Sequence, residues 1–264
     1  MNVQDKVFVV TGGGNGIGRE VVLNLLAKNA IVVAVDLDKK ALQETKKLAG
    51  DAQKRMSIHA LNITDQAGVE ALPEIVIKQH GHVDGLINVA GIIQPFIPVS
   101  ELDYAKVRQV MDVNFYGTLY MIKTFLPHFL LRPEAHITNI SSMGGFVPVP
   151  GQSIYGASKA AVKLMTEGLH SELKDTNVGV TIVFPGGVQT EIMKNSGAER
   201  TRTDDAAANS KIKLLTAQEA AEIIVQGTIK KKYRVLAGKD AKMLDFLSRL
   251  SPKKAASIIA EKLK

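Results

Sequence analysis

The sequence feature that most constrains the fold is the glycine-rich segment Thr-Gly-Gly-Gly-Asn-Gly-Ile-Gly at residues 11–18. It directly follows the apolar run Val7–Thr11 and opens a segment with helical periodicity. In a strand–loop–helix unit of this kind, Gly12 permits the tight turn, Gly16 lets the backbone approach a pyrophosphate, and Gly18 permits close packing of helix on strand. The helix N-terminus adds free N–H groups that attract phosphate. The segment therefore predicts a dinucleotide-binding loop.

The rest of the chain alternates short β-branched runs with longer segments of helical period. Several of the runs are apolar at consecutive positions, as expected for parallel strands that are buried on both faces. The runs are Val7–Thr11, Ile31–Asp36, Met56–Leu61, Gly85–Ala90, His136–Ser141, Val178–Phe184 and Tyr233–Ala237. The candidate helices are Gly16–Asn29, Lys39–Ala49, Gln66–His80, Asp103–Leu131, Ser153–Thr176 and Ala217–Lys231. With right-handed crossovers, this order predicts a doubly wound (Rossmann) α/β fold with a seven-stranded parallel sheet flanked by helices.

No Pro/Gly/Ser-rich linker or repeat divides the chain, so we predict one catalytic domain over residues 1–238. Within it, residues 187–215 are polar and irregular, and a loop of that length predicts a lid. Residues 239–264 form a basic tail with two short amphipathic helical patterns. The apolar positions of the first pattern are Met243, Phe246, Leu247 and Leu250, and those of the second are Ala256, Ile259, Ala260 and Leu263.

Composition excludes several classes of function. The chain has no cysteine, which rules out disulfides and thiolate chemistry. His80 and His82 flank Gly81 at a predicted helix end, so we interpret them as surface side chains and predict no metal site. No apolar run approaches the roughly 18 residues of a membrane span, and Met1–Asp5 lacks the layout of a signal peptide, so we expect a cytoplasmic protein.

The net charge of +7 is concentrated near the C-terminus. From Ile229 to Lys264 there are eleven Lys and Arg against three Asp and Glu, a net charge of +8, and the first 228 residues carry −1. The body therefore lacks the excess positive charge that binds nucleic acid, and we predict no nucleic-acid partner.

Asp36 ends the second predicted strand, about 20 residues after the glycine-rich loop, where a carboxylate can accept both ribose hydroxyls of an adenosine. The same carboxylate repels a 2′-phosphate, and Asn15 places no cation inside the loop. Lys39 and Lys40 are nearby cations that could partly compensate this repulsion of a 2′-phosphate. We predict NAD as the cofactor, with NADP less favoured.

Tyr155 and Lys159 lie four residues apart on one face of a predicted helix. A tyrosine titrates near pH ~10, but a neighbouring lysine cation together with an oxidised nicotinamide favours the phenolate. Such a pair alone is common on helix surfaces. Ser142, which ends the fifth predicted strand, gives the pair a partner that could hydrogen-bond a substrate oxygen.

With these motifs the chain resembles the short-chain dehydrogenase/reductase (SDR) family from its N-terminus to about Gly238. The resemblance rests on the order and spacing of TGGGNGIG (11–18), Asp36, NVAG (88–91), the Asn of DVN (112–114), NISS (139–142), YGASK (155–159) and PGGVQT (185–190). Where this chain has Val89, the family usually has a second Asn, and where it has Asn62, the family usually has an Asp that hydrogen-bonds adenine. Neither change touches the predicted catalytic residues.

The resemblance implies a catalytic tetrad of Asn114, Ser142, Tyr155 and Lys159. Tyr155 would transfer the proton, Lys159 would bind the nicotinamide ribose and lower the tyrosine pKa, and Ser142 would orient the substrate oxygen. Asn114 would hold a water that relays protons from solvent. Hydride would move between nicotinamide C4 and the carbon of an alcohol or ketone.

The resemblance also implies a set of cofactor-binding residues, in which the segment at 185–190 clamps the nicotinamide carboxamide. The set is Gly12, Asn15, Gly16, Ile17, Gly18, Asp36, Leu37, Asn62, Ile63, Asn88, Ala90, Gly91, Tyr155, Lys159, Pro185, Gly186, Val188 and Thr190.

The segments expected to line the substrate pocket are mostly apolar, which favours an uncharged, moderately hydrophobic secondary alcohol or ketone. The predicted pocket residues are Ile93, Gln94, Met143, Val149, Gln152 and Met193. The lid also carries Lys194, Arg200 and Arg202, which leaves an acidic substrate open.

Three further expectations concern partners and alternatives. The helices at 103–131 and 153–176 resemble those that pair between SDR subunits, which implies a homotetramer or homodimer. The basic tail is expected to pack on the body or on a neighbouring subunit, and peripheral contact with an anionic membrane is the alternative.

A non-catalytic NAD(H)-binding regulator is the competing function. A methyltransferase that uses the same glycine-rich loop would leave Tyr155 and Lys159 unexplained.

Overall fold

The computed structural model describes residues 1–198 and 214–262. Its main sheet has seven parallel strands in the order β3-β2-β1-β4-β5-β6-β9, which confirms the predicted doubly wound fold. Those strands are β1 (Val7–Thr11), β2 (Ile31–Asp36), β3 (Met56–Ala60), β4 (Gly85–Asn88), β5 (Ala135–Ile140), β6 (Val178–Pro185) and β9 (Arg234–Ala237). The short strands β7 (Val188–Gln189) and β8 (Leu215–Thr216) pair beside it.

The helices lie on both faces of the sheet, close to the predicted bounds. They are α1 (Gly16–Ala27), α2 (Lys39–Leu48), α3 (Gln66–His80), α4 (Tyr104–Met111), α5 (Thr118–Leu130), α6 (Ser153–Glu172), α7 (Ile192–Asn195), α8 (Ala217–Ile229), α9 (Lys239–Leu250) and α10 (Pro252–Lys262). None of the helices among the described residues is long and apolar enough to cross a membrane.

The central strands are consecutive apolar runs because helices cover the sheet on both faces. In β1, Phe8 and Val10 pack into the core beneath α1 and α8, and Val7 and Val9 pack into the core beneath α3 and α5. Every residue of β1 is buried, as the uninterrupted apolar pattern predicted.

The chain reverses its direction across the sheet between β3 and β4, so β1 and β4 are neighbours at the switch point. In such sheets ligands bind in the crevice beyond the carboxyl ends of the strands at this point. The glycine-rich loop follows β1, and the segment at 88–91 spans the end of β4. The fold thus brings both predicted cofactor segments to one crevice.

The predicted helix over 103–131 is interrupted by a π-helical turn at Asp112–Gly117. Within this turn the side-chain amide of Asn114 hydrogen-bonds both backbone groups of Ile92, accepting from its N–H at 2.8 Å and donating to its carbonyl at 3.0 Å. π-helical turns of this kind are frequent at functional sites.

The tail packs differently from the amphipathic prediction. In α9 the buried residues are Ala241, Leu244 and Asp245, whereas three of the residues predicted to share an apolar face are exposed, namely Met243, Phe246 and Leu250. The inward face is determined by ion pairs as well as by apolar packing, because Asp245 binds Arg234 and Arg249.

The tail packs on the segment that follows β5. Leu244 of α9 and Ile259 of α10 form a small core with Val147, and Met143 and Val149 pack against that core. The tail therefore covers the segment that carries part of the predicted substrate pocket.

Candidate active site

The glycine-rich loop requires glycine at the predicted positions. Gly12 has φ +70°, and a Cβ there would lie 2.9 Å from the backbone nitrogen of Ala90. A Cβ at Gly18 would lie 2.0 Å from the carbonyl oxygen of Gly12. Gly16 has φ +50°, and a Cβ there would lie 3.5 Å from the methyl carbon of Thr190. The loop therefore lies against the end of β4 and faces the 185–190 segment.

Asp36 and Arg19 hold the loop from the side of β2. One carboxylate oxygen of Asp36 accepts the N–H of Gly14 at 2.9 Å, and the other accepts the N–H of Asp38 at 3.0 Å. Arg19 donates to the carbonyl of Gly14 at 2.9 Å and to Glu44 at 3.0 Å. Since an ionised carboxylate offers about four acceptor sites, Asp36 keeps capacity for further donors.

The four predicted catalytic side chains come together in pairs at two glycines. A Cβ at Gly91 would lie 3.1 Å from the Lys159 ammonium nitrogen and 3.2 Å from Oδ1 of Asn114. A Cβ at Gly144 would lie 3.5 Å from both the Ser142 hydroxyl oxygen and Cε1 of the Tyr155 ring.

Hydrogen bonds fix these side chains in place. Lys159 is buried and donates to the carbonyl of Ile140 at 3.0 Å, at the end of β5. The Ser142 hydroxyl accepts the N–H of Gly144 at 3.1 Å, the glycine that the Tyr155 ring also approaches. Asn114 is fully buried and also donates to the hydroxyl of Ser158 at 2.9 Å, which ties the π-helical turn to α6.

Burial determines the ionisation of the Tyr–Lys pair. It raises the pKa of Tyr155 above its ordinary value, and the neighbouring Ser142 hydroxyl opposes that rise. Burial also lowers the pKa of Lys159 to about 8. At neutral pH the phenol therefore keeps its proton and the lysine is mostly an ammonium ion. The lowering of the Tyr155 pKa by Lys159 stays a prediction for the complex with oxidised cofactor.

Gln94 has a role that the sequence did not indicate. It is fully buried, and its side-chain oxygen accepts the N–H groups of Ile154 at 2.9 Å and Tyr155 at 3.0 Å. Its amide nitrogen donates to the carbonyl of Gly151 at 2.9 Å. Gln94 thus caps the first turn of the helix that carries Tyr155 instead of facing a pocket, because those N–H groups have no acceptor within the helix. The one sequence signal for this capping role was that Gln94 is a polar residue within an apolar stretch.

The 185–190 segment forms a turn at the end of β6, which we call the nicotinamide-side turn after its predicted role. Gly186 donates its N–H to the carbonyl of Ala237 at 2.8 Å. The carbonyl of Gly187 accepts the N–H of Leu215 at 3.0 Å, next to the β7–β8 pair. Thr190 approaches the glycine-rich loop at Gly16.

The crevice thus combines a dinucleotide-type loop with a Ser–Tyr–Lys–Asn cluster in which Lys159 and Asn114 are buried, and comparison with known proteins gives the same assignment. The family described as short chain dehydrogenase matches residues 6–201. This chain is a member of the short-chain dehydrogenase/reductase family of oxidoreductases.

Known family members match over nearly the whole chain. A Mycobacterium tuberculosis protein named as an oxidoreductase, SadH, is 35% identical over 252 residues, which cover 94% of this chain and 91% of SadH. The mouse protein named dehydrogenase/reductase SDR family member 7B is 30% identical and covers 94% of this chain, which spans 76% of the mouse protein.

Solved structures of other SDR proteins have the same fold. A Burkholderia phymatum SDR in complex with NAD superposes with a TM-score of 0.83 at 25% identity, covering 95% of this chain and 96% of the other. A Burkholderia cenocepacia short chain dehydrogenase in complex with NADP superposes with a TM-score of 0.81 at 26% identity, covering 98% and 99%.

The remaining predicted cofactor residues of this SDR protein lie around the crevice. Leu37 is exposed beside Asp36, and Asn62 is exposed with its side-chain oxygen accepting the N–H of Thr64. Ile63 packs against Gly117 of the π-helical turn. Asn88 is buried and its amide donates to Asn139, so it joins β4 to β5.

Several of the predicted pocket residues are less accessible than expected. Ile93 is buried and donates its N–H to the hydroxyl of Ser196. Gln152 is buried and its amide donates to the carbonyl of Gln94 at 2.7 Å. Met143, Val149 and Met193 are half-buried.

The lid residues Arg200 and Arg202 lie outside the described residues, as does Leu263 of the tail.

Proposed function

We propose that this SDR oxidoreductase transfers hydride between NAD(H) and a secondary alcohol or ketone, with Tyr155 as the proton-transferring acid and base. The observation that carries the proposal is the cluster in which the Ser142 hydroxyl and the Tyr155 ring meet at Gly144 while the cation of Lys159 and the amide of Asn114 meet at Gly91. A protein that only sensed the dinucleotide would have no use for a proton-transfer cluster of this kind.

The crevice fits a nicotinamide dinucleotide. Gly12 and Gly16 provide backbone that a side chain would block or strain, and α1 begins at this loop, so the pyrophosphate is assigned to its N-terminus. Asp36 is assigned the adenosine ribose, and the exposed Leu37 one face of the adenine. On the other side, Val188 and Thr190 are assigned the nicotinamide carboxamide and Lys159 its ribose.

The preference for NAD over NADP rests on charge. The Asp36 carboxylate accepts the N–H of Gly14 and faces the loop where a 2′-phosphate would have to lie. Arg19, which donates to the carbonyl of Gly14, is already engaged by Glu44. The related structures hold NAD in one case and NADP in the other, so the preference of this chain rests on its own residues.

The chain's own residues move and hold the proton. The bound nicotinamide supplies or accepts the hydride. Tyr155 donates its phenolic proton to the substrate oxygen during ketone reduction and removes the hydroxyl proton during alcohol oxidation. Ser142 hydrogen-bonds the same oxygen and so fixes its distance from Tyr155. Lys159 is assigned the positive charge that favours the phenolate, and Asn114 is assigned the relay of protons from solvent through a water.

The proposed substrate is uncharged and moderately hydrophobic. Support comes from the half-buried apolar side chains of Met143, which directly follows Ser142, and of Val149 and Met193, and from the burial of Gln94, which binds backbone groups. A pocket with few free polar groups favours a substrate with one oxygen to orient.

We also propose a homotetramer or homodimer. The helices that pair between subunits in this family correspond here to α4–α5 and α6, and they expose Tyr104 and Leu164 at 81% and 69%. Apolar side chains this exposed on helices are consistent with a subunit contact.

The test is turnover of a panel of secondary alcohols with NAD, spanning steroid-like, acyl-chain and small polyol substrates, together with titration of NADH and NADPH. The proposal expects NADH production from at least one hydrophobic member and tighter binding of NADH than of NADPH. Dinucleotide binding without turnover of any member, in either direction, would favour the regulator instead.

A further inference from the structure

The nicotinamide-side turn contains two consecutive glycines, Gly186 and Gly187, directly before Val188. Glycine loses more conformational freedom on folding than any other residue, so two in succession form a turn that needs external anchors to hold one conformation. The backbone N–H of Val188 can bind a carboxamide only if the glycines before it are fixed.

One anchor comes from the tail. A carboxylate oxygen of Asp240, in the first turn of α9, accepts the N–H of Gly187 at 2.7 Å. A hydrogen bond between a backbone N–H and an ionised carboxylate is roughly twice as strong as one between neutral groups. On the other side of the turn, the carbonyl of Gly187 accepts the N–H of Leu215. Gly187 is therefore held at both of its backbone polar groups.

The packing around Asp240 leaves no room for a side chain on the turn. A Cβ at Gly186 would lie only 2.1 Å from the other carboxylate oxygen of Asp240, and a Cβ at Gly238 would lie 2.4 Å from it. Gly238 has φ +121°, a conformation that favours glycine and that starts α9 directly after β9. The carboxylate thus fits between two glycine α-carbons.

We propose that Asp240 is a positioning residue for the nicotinamide half of the cofactor site, acting through Gly186 and Gly187 on Val188. The inference rests on the proposed function, because it concerns the turn that is assigned the nicotinamide carboxamide. Asp240 lies beyond residues 6–201, the part of the chain that matches the family. The tail therefore contributes to the active site.

The experiment compares two ligands that share the adenosine and pyrophosphate but differ in the nicotinamide. NADH and ADP-ribose are titrated against the full-length wild-type protein, Asp240→Ala and Asp240→Asn. The matched control is Glu261→Gln, which removes one negative charge from an exposed position at the far end of the tail. If NADPH binds tighter than NADH, NADPH and 2′-phospho-ADP-ribose replace the pair.

For Asp240→Ala we expect the Kd of NADH to rise about tenfold or more while the Kd of ADP-ribose changes by less than about twofold. Asp240→Asn retains an oxygen that can accept the N–H of Gly187, so its NADH affinity should return to within about threefold of wild type. Glu261→Gln should bind both ligands as wild type does.

Equal losses of NADH and ADP-ribose binding in Asp240→Ala would show a general structural role and overturn the inference, as would unchanged binding of both. If Asp240→Ala does not fold, Asp240→Asn decides, because a neutral amide accepts the N–H of Gly187 more weakly than a carboxylate does. A loss of NADH affinity larger than that of Glu261→Gln, with wild-type affinity for ADP-ribose, is the supporting result, and NADH affinity equal to that of Glu261→Gln overturns the inference. If the wild-type protein binds NADH and turns over alcohols and Asp240→Ala does so equally well, this inference is contradicted but the proposed function is not. A wild-type protein that binds no dinucleotide would sink the proposed function as well.

Discussion

The glycine-rich loop at residues 11–18 and the nicotinamide-side turn at residues 185–190 approach each other across the crevice, but different parts of the chain hold them. Gly14 is fixed by Arg19 and Asp36, five and 22 residues away in sequence. Gly187 is fixed by Asp240, 53 residues further along the chain. The predicted adenosine end is thus held by the first two strands, their helices and the end of β4, whereas the predicted nicotinamide end depends on the tail. Changes in the two regions should therefore affect different halves of the cofactor.

The largest effect is expected at the adenosine end from Gly18→Ala. Its Cβ would lie 2.0 Å from the carbonyl oxygen of Gly12, so the loop or α1 must shift. We expect the unfolding free energy to fall by about 3 kcal/mol and dinucleotide binding to be lost, measured by urea unfolding and NADH titration. Gly168→Ala is the matched control, because a Cβ there meets nothing within 4 Å, and it should be neutral or stabilising by up to about 1 kcal/mol. Near-wild-type NADH binding in Gly18→Ala would contradict the assignment of the pyrophosphate to this loop.

Asp36→Asn tests how the adenosine end selects its cofactor while the hydrogen bond to Gly14 is kept. The amide oxygen can still accept the N–H of Gly14, but the negative charge that selects against a 2′-phosphate is removed. We expect NADH to bind about tenfold more weakly, with NADPH unchanged or tighter, as measured by parallel titrations. Equal losses for both cofactors would indicate a structural role for Asp36 instead of ribose recognition.

A smaller effect is expected from Gln94→Met at the chemical end. The substitution removes the acceptor for the N–H groups of Ile154 and Tyr155 while keeping a similar volume. We expect unfolding to become easier by about 1–3 kcal/mol and kcat to fall several-fold, with NADH affinity unchanged. Gln53→Met, at an exposed position, is the control. A loss of NADH affinity as large as the loss of kcat would place the effect in the cofactor site.

Most of the sheet and the adenosine end could be predicted from sequence because their signals are local. Buried parallel strands form consecutive apolar runs, and the loop glycines form a motif within one strand–loop–helix unit, in which Gly18 packs against Gly12. The predicted strand β2, Ile31–Asp36, has the observed bounds, and the helix α3, Gln66–His80, does as well.

What sequence reasoning missed depends on long-range packing. The helical periodicity of α9 predicted that Phe246 lies on a buried face. Asp240 and Asp245 instead bind groups of the body, so the face that carries Phe246 is exposed to solvent. Gln94 was predicted to face substrate, but the first turn of α6 needs its side-chain oxygen. The π-helical turn around Asn114 likewise depends on backbone groups of a distant segment.

The central claim is that Tyr155 transfers the proton in a site that binds NADH independently of that hydroxyl. The most direct measurement is turnover and NADH affinity of Tyr155→Phe beside the wild-type protein, with a substrate identified from the alcohol panel. The account predicts a Kd for NADH within about twofold of wild type and a loss of kcat of about hundredfold or more. Turnover close to that of wild type in Tyr155→Phe would contradict it.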